Sequence, residues 1–303
     1  MNLGILLIFM FNKTYKFFLI LAILFLMATP VAGLVWPTEK NLKVYFLDVG
    51  QGDSILIRAP SGQNILIDGG PNNLVLEHLN NILPFWDRTI DLMILTHAHS
   101  DHVAGLVDVL KRYDVAKVLY TGVDHGSPDF IEWGSLIEQK GTEVAIPIAG
   151  QVYQFGEVDL EILYPFEDIS EKEFKDLNDS SVVARLEYQD TSFLFTGDAP
   201  VSVAKEVLEF CHEVKARALV YPCKLESDVL KVGHHGSKYS SSLEFLQAVN
   251  PMYAVIQSAE DNKFGHPHRL ILKRLEGLGV EILRNDEVGD VKVVSDGRKV
   301  WVR

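Results

Sequence analysis

The chain predicts an α/β fold built as one large domain. Short β-branched apolar runs alternate with longer segments of helical apolar spacing, the pattern of strands and helices packed in layers. Gly and Pro are scattered as turn punctuation, with no repeat of solenoid period and no low-complexity linker. Nearly every polar cluster of chemical interest stands just after an apolar run, where α/β folds gather site residues from distant segments.

Residues 1–33 stand apart. They hold no acidic residue, carry only Lys13 and Lys16, and pass from the apolar stretch 17–27 into Ala28-Thr29-Pro30-Val31-Ala32-Gly33. Basic, then apolar, then small is the order of a secretory signal peptide. The twenty uncharged residues 17–36 are also long enough to serve as an uncleaved membrane anchor. Either way, residues 34–303 are expected to work as one domain, secreted or tethered outside the cytoplasm. They are numerous enough for a sizeable core.

The first folded unit reads as a hairpin, Lys43-Val44-Tyr45-Phe46-Leu47-Asp48 and Ser54-Ile55-Leu56-Ile57-Arg58, joined by Val49-Gly50-Gln51-Gly52-Asp53. A third strand, residues 64–68, delivers Asp68 in front of Gly69-Gly70, a place from which a carboxylate can orient a neighbouring ligand. Residues 74–83 predict a helix and 90–95 a strand. Val103, Leu106, Val107 and Leu110 then set a helix over 103–113. Strand and helix signals continue through 115–119, 131–139, 143–148 and 158–163. His125 lies in a loop outside any ligand pattern and reads as solvated or behind the ligands. A second hairpin, 181–188 and 191–198 about Gln189-Asp190, ends in Thr196-Gly197-Asp198. The run 228–233 repeats the design, ends in His234-His235-Gly236-Ser237 and is followed by the helix-like 241–249. After a short strand at 253–257, Phe264-Gly265-His266-Pro267-His268 opens a helix over 269–275, and strands at 280–283, 290–294 and 299–302 close the chain.

The centre of this arrangement is Thr96-His97-Ala98-His99-Ser100-Asp101-His102, three histidines and one carboxylate within six residues at a strand end. Imidazole and carboxylate are the ligands of hydrolytic Zn²⁺ or Mn²⁺ sites. A lone histidine pair is ordinarily a surface turn. Here Asp68, Asp198, His234-His235 and His266 occupy the same strand-end setting, and together they define one site.

These motifs, in this order, resemble the metallo-β-lactamase superfamily from about Val44 to Arg303. That resemblance implies an αββα sandwich of two mixed β-sheets flanked by helices. The segments Phe46 to Asp53, Leu230 to Ser237 and Phe264 to His268 look more specifically like the extracytoplasmic hydrolase domain of ComEC-type competence proteins, which import DNA. The family pattern gives His97 and His99 to one ion, Asp101 and His102 to another, and makes Asp198 the bridge. His234 and His266 are the candidates for the remaining positions. Many relatives carry a further histidine where this chain has Leu177-Asn178-Asp179-Ser180-Ser181, so either Asn178 or Asp179 supplies an oxygen or a histidine is borrowed from His234-His235. The implied cofactor is two divalent ions, Zn or Mn, roughly 3.5–4 Å apart and sharing a hydroxide. Asp101 counts among the catalytic groups as well as the ligands, with His235, Ser237 and His268 contacting phosphate or protonating the leaving group.

The function so implied is a metal-dependent phosphodiesterase or nuclease acting on DNA or another phosphodiester. The same site would serve a small ester, lactam or phosphocholine-type substrate, and a non-catalytic accessory module is a third class, against which the intact donor run stands. Net charge is −13, and −15 without the two N-terminal lysines, which excludes the broad basic footprint of a duplex-binding protein. Local lysines such as Lys231 and Lys238 remain to meet phosphates. Cys211 and Cys223 are either a disulfide, as an even count in an exported chain suggests, or two packed thiols. No protein partner is indicated.

Overall fold

The structure, a computed structural model, describes residues 17–23, 41–216 and 223–303. The chain divides into two units, Met1–Glu39 and Lys40–Arg303. In the first, residues 17–23 are helical. Among the described residues no helix is long and apolar enough to cross a membrane. The signal or anchor expected over residues 1–33 otherwise lies outside the described residues.

The second unit begins with β1 (Leu42–Phe46), β2 (Ile55–Arg58) and β3 (Asn64–Ile67), followed by α1 (Leu74–Ile82), β4 (Thr89–Ile90), β5 (Leu92–Ile94) and α2 (Ser100–Arg112). Next come β6 (Asp114–Val115), β7 (Lys117–Leu119), α3 (Pro128–Lys140), β8 (Glu143–Ala145), β9 (Val152–Phe155), β10 (Val158–Tyr164), β11 (Val183–Tyr188) and β12 (Thr191–Phe195). The remainder is α4 (Val201–Ala216), β13 (Val229–Lys231), α5 (Leu243–Val249), β14 (Tyr253–Ile256), α6 (Arg269–Gly277), β15 (Glu281–Arg284), α7 (Asn285–Val288), β16 (Val291–Ser295) and β17 (Val300–Val302).

Among the described residues, one sheet has eight strands in the order β17-β16-β1-β2-β3-β5-β7-β8, and another has seven, β15-β14-β13-β12-β11-β10-β9. Both are mixed: the β1–β2–β3 meander is antiparallel and continues into the parallel β3–β5–β7–β8, while β12 to β15 are parallel and β9 to β12 antiparallel. The period-2 alternation of a strand explains how they stack. Leu42, Val44 and Phe46 point into a core shared with Leu160, Phe193 and Phe195 of the other sheet. Tyr45 and Leu47 point outward, onto a layer formed with α1, α2 and α3. The outer face of the seven-stranded sheet is covered in the same way by α4, α5 and α6. The architecture is therefore the αββα sandwich of two mixed sheets.

Two departures from the predicted elements matter for the site. Helix α2 starts at Ser100, three residues before the apolar stripe at Val103, so Asp101 and His102 lie on its first turn. A carboxylate there is favoured by the unpaired N–H groups of the helix start. The long helix α4 carries a buried stripe, Val203, Val207, Cys211 and Val214, that was not anticipated. Cys211 and Cys223 are joined as a disulfide with Cα atoms 4.9 Å apart, which settles the choice left open by their number.

Candidate metal centre

The polar clusters meet because both sheets present their parallel strands in one direction. β3 and β5 are parallel neighbours, as are β12 and β13 in the other sheet. Their C-terminal ends release Asp68, the 96–102 run, Asp198 and His234-His235 respectively.

Asp68 is fully buried and organises the first half. One carboxylate oxygen accepts from the Thr96 backbone N–H at 2.8 Å, and the other accepts from the Thr96 hydroxyl at 2.7 Å and from His102 Nδ1 at 2.8 Å. His102 Nε2 is thereby left to face the other donors. Because the Thr96 hydroxyl donates its hydrogen bond to Asp68, its oxygen accepts from His97 Nδ1 at 3.0 Å, and His97 Nε2 lies 2.9 Å from His99 Nδ1. The loop after Asp68 is clamped to α2 by Gly69 N–H to His102 O (2.8 Å) and Gly105 N–H to Gly70 O (2.9 Å). The fit admits no side chain: a Cβ on Gly105 would lie 1.8 Å from Gly69 O.

The second half depends on an unusual backbone. His234 (φ 50°, ψ 51°) and His235 (φ 52°, ψ 25°) are consecutive left-handed residues. L side chains pay for this conformation, and it persists where surrounding structure enforces it. The consequence is that the two rings diverge, 6.0 Å apart and at 74°. His235 Nδ1 donates to Gln257 O at 2.9 Å and lies 3.3 Å from Asp53, which turns Nε2 toward Asp101 and Asp198, 3.4 Å from an oxygen of each. His234 Nε2 approaches the same Asp198 oxygen at 3.7 Å. Behind them Lys231, only 1% exposed, forms an ion pair with Asp53, donates to Gly197 O at 3.1 Å and stands 3.8 Å from the second oxygen of Asp198.

This packing of charge shifts the titrating groups in opposite directions. Burial favours the neutral forms of all of them. For His97 burial prevails, helped by the neighbouring His102 charge, and its pKa falls well below the ordinary value. For His102 burial is outweighed by Asp198, Asp68 and Asp101, and its pKa rises well above it. For His235 the same contest, won by Asp198 and Asp53, ends at about 10. Asp198 is held well below the ordinary carboxylate range because His235 and His102 overcome its desolvation.

The donor set fits divalent metal. His97, His102 and Asp198 offer mutually adjacent ligand atoms, as do Asp101, His102 and His235. His102 Nε2, His235 Nε2 and one oxygen of Asp198 are buried without a hydrogen-bond partner. Such orphans are costly unless something ligates them. These residues would hold the ions, and Asp68 and Asp53 would fix the imidazoles from behind, the usual arrangement behind a metal-binding histidine.

Of the residues singled out from sequence, His97, Asp101, His102, Asp198 and His235 converge, with Asp68 behind them. His99 stands beside His97 on the half-exposed side, its ring 6.3 Å from that of His125. Both histidines line a cleft of about 650 Å³ with Asp124, Lys172, Glu173 and Asp176. His234 is half-buried, with Asn178 Nδ2 3.4 Å from its Nδ1, so Asn178 lies next to it. Asp179 instead faces the Ser202 hydroxyl at 3.4 Å. The His266 ring is 5.5 Å from His234 and 6.3 Å from His235, and burial pushes its pKa down to about 4. Ser237 is buried, its hydroxyl accepting from Tyr239 N–H at 3.4 Å. His268 uses Nδ1 to cap α6, accepting from Leu270 N–H at 3.1 Å. Lys231 is corrected outright: it is enclosed in the centre and presents no surface to phosphate. Sequence reasoning did not place Asp53 or Gln257 in the site, although Asp53 shows the same glycine-flanked placement beside a strand as Asp198.

Fold and donor set together define a class. The Metallo-beta-lactamase superfamily profile matches residues 47–259, and the chain belongs to that superfamily. It is 29% identical to ComE operon protein 3 of Bacillus subtilis (82% of this chain, 32% of that one) and 32% identical to Competence protein ComA of Neisseria gonorrhoeae (83% and 32%). It is also 30% identical to Recombination protein 2 of Haemophilus influenzae (84% and 29%). The chain thus spans about a third of the length of these relatives. Over 30% of its length it is 33% identical to Hydroxyacylglutathione hydrolase of Serratia proteamaculans. Among solved structures, the metallo-beta-lactamase fold protein YhfI of Bacillus subtilis superposes with a TM-score of 0.51 at 12% identity, covering 86% of this chain and 100% of that one, a likeness of fold alone.

Proposed function

We propose that the domain is a metal-dependent phosphodiesterase that cleaves DNA outside the cytoplasm. The observation that carries this reading is that the buried Nε2 atoms of His102 and His235, neither with a hydrogen-bond partner, both approach one oxygen of Asp198, at 3.5 and 3.4 Å. The kinship with one protein named for competence and one named for recombination supports DNA as the substrate. The disulfide between Cys211 and Cys223 supports an oxidising compartment.

When bound, a pair of divalent ions supplies Lewis acidity and a water activated at neutral pH. In this reading His97, His99 and Asp198 would hold one ion, with His234 beside them in place of the family's further histidine. Asp101, His102, His235 and Asp198 would hold the other. Asp68 and Asp53 fix the ring orientations, and Lys231 offsets the negative charge that Asp53 and Asp198 bring to the interior. His266, beside His234, is placed to donate a hydrogen bond to a phosphate oxygen.

The test is a substrate panel on Mn²⁺- and Zn²⁺-loaded protein: linear DNA, bis(p-nitrophenyl) phosphate and a hydroxyacyl-glutathione thioester. Cleavage of both phosphodiesters is expected. The partial likeness to Hydroxyacylglutathione hydrolase favours a second reading, a small-thioester hydrolase. Thioester turnover with DNA left intact would establish that one instead.

A further inference from the structure

Two loops border the centre. One continues from His234-His235 and the other leads into His266. Each carries a lysine followed by an exposed aromatic: Lys238-Tyr239 on the first and Lys263-Phe264 on the second. Tyr239 is 67% exposed and Phe264 57%. In each pair the lysine Nζ lies over the ring, at 4.9 Å from the Tyr239 centroid and 5.1 Å from that of Phe264. The loops touch, since His268 N–H donates to Gly236 O at 2.9 Å. Phe264 is not remote from the chemistry either: it stacks on His266 at 5.8 Å and 21°, and His266 is 5.5 Å from His234. Rings thus run from the solvent to the metal centre.

We propose that these two pairs are a stacking platform that seats a single DNA strand at the mouth of the centre, with bases on Tyr239 and Phe264 and phosphates beside Lys238 and Lys263. The inference rests on the phosphodiesterase reading and narrows its substrate to single strands. A base inside a duplex has no free face for an exposed ring, whereas every unpaired base has one. Charge points the same way. At a net −13, and with Glu260 and Asp261 on the same loop as Lys263, the protein has little long-range attraction for a polyanion, so stacking must supply much of the affinity.

The experiment is fluorescence anisotropy of labelled dT12 with the full chain in EDTA, where no cleavage intervenes, beside bis(p-nitrophenyl) phosphate turnover by the metal-loaded protein. Y239A and F264A are each expected to weaken dT12 binding at least about five-fold, the effect of losing one base stack. Y239F should bind as the parent does. An abasic 12-mer should bind the parent no better than dT12 binds F264A. Two lysine–phosphate contacts predict a slope of about −1.4 for log affinity against log salt. Turnover of the small diester, which has no base, should be unchanged in Y239A and Y239F, whereas F264A, whose lost ring packs on His266, is judged by dT12 binding. Equal affinity for dT12 and the abasic strand, or undiminished dT12 binding by Y239A and F264A, would overturn the platform. Absence of diester turnover by the parent would instead count against the phosphodiesterase reading, leaving the binding result to judge the platform by itself.

Discussion

Asp68 holds His102 Nδ1 with the carboxylate oxygen that also accepts the Thr96 hydroxyl, so one side chain sets the direction of two histidines. D68N puts an amide where an acceptor is needed, and metal affinity measured by calorimetry should fall about 10–100-fold with the fold intact. H235A should lower the bound-metal content more than H234A, because His235 Nε2 is buried between Asp101 and Asp198 while His234 is half-exposed. That ranking was not legible in the sequence. It follows from two adjacent left-handed residues, a conformation that the string His234-His235 does not announce. Lys231 was misread for a related reason: a lysine ending an apolar strand looks solvated until its partner Asp53 arrives from more than a hundred residues away. The 97–102 run was legible because its donors are local. Far from the centre, Glu161 is pushed up to about 7, by burial that the adjacent Arg185 only partly offsets. The native state then binds this proton more tightly than the unfolded chain does, so stability falls as pH rises from 4.5 to about 7. E161Q should flatten that slope, as read from urea midpoints at pH 5 and pH 8.

Helix α2 is the element on which the centre turns, since its first turn supplies Asp101 and His102 while its Gly105 lies against the Asp68 loop. G105A forces these apart. The expected cost is about 1–3 kcal/mol of stability, as for other overpacked sites, together with weaker metal binding. If thermal unfolding and metal content were both unchanged, the contact would not be what positions the helix. Helix α4 is tied at its end by the Cys211–Cys223 disulfide, with a sequence separation of 12. Loop-closure entropy assigns such a link about 3 kcal/mol, so the C211S/C223S protein should unfold at correspondingly lower denaturant. Strands were the readable elements, because β-branched alternation marks them locally. The start of α2 is hidden in the sequence because its first turn is polar, and α4 is marked only by buried residues that repeat at helical spacing. Periodicity marks the apolar face of a helix and says little about where its polar ends fall.

At the scale of the whole molecule, alternation of elements pointed to an α/β fold, but the pairing of two sheets came from family resemblance. Sheet membership depends on which strands adjoin, and β1 next to β16 near the far end of the chain is beyond any local pattern. The three hydrophobic clusters found among the described residues all lie within Lys40–Arg303. The function proposed for it makes metal and phosphodiester cleavage inseparable. The most direct measurement is the rate of bis(p-nitrophenyl) phosphate hydrolysis against counted bound metal, for wild type and D101A, through one cycle of chelation and reloading. The account predicts a rate that vanishes with the metal, returns with it in wild type and stays at least about a hundred-fold lower in D101A, the order of loss expected when a ligand-centred catalytic group is removed. A rate indifferent to chelation, or fully metal-loaded wild type that leaves the diester intact, would contradict it.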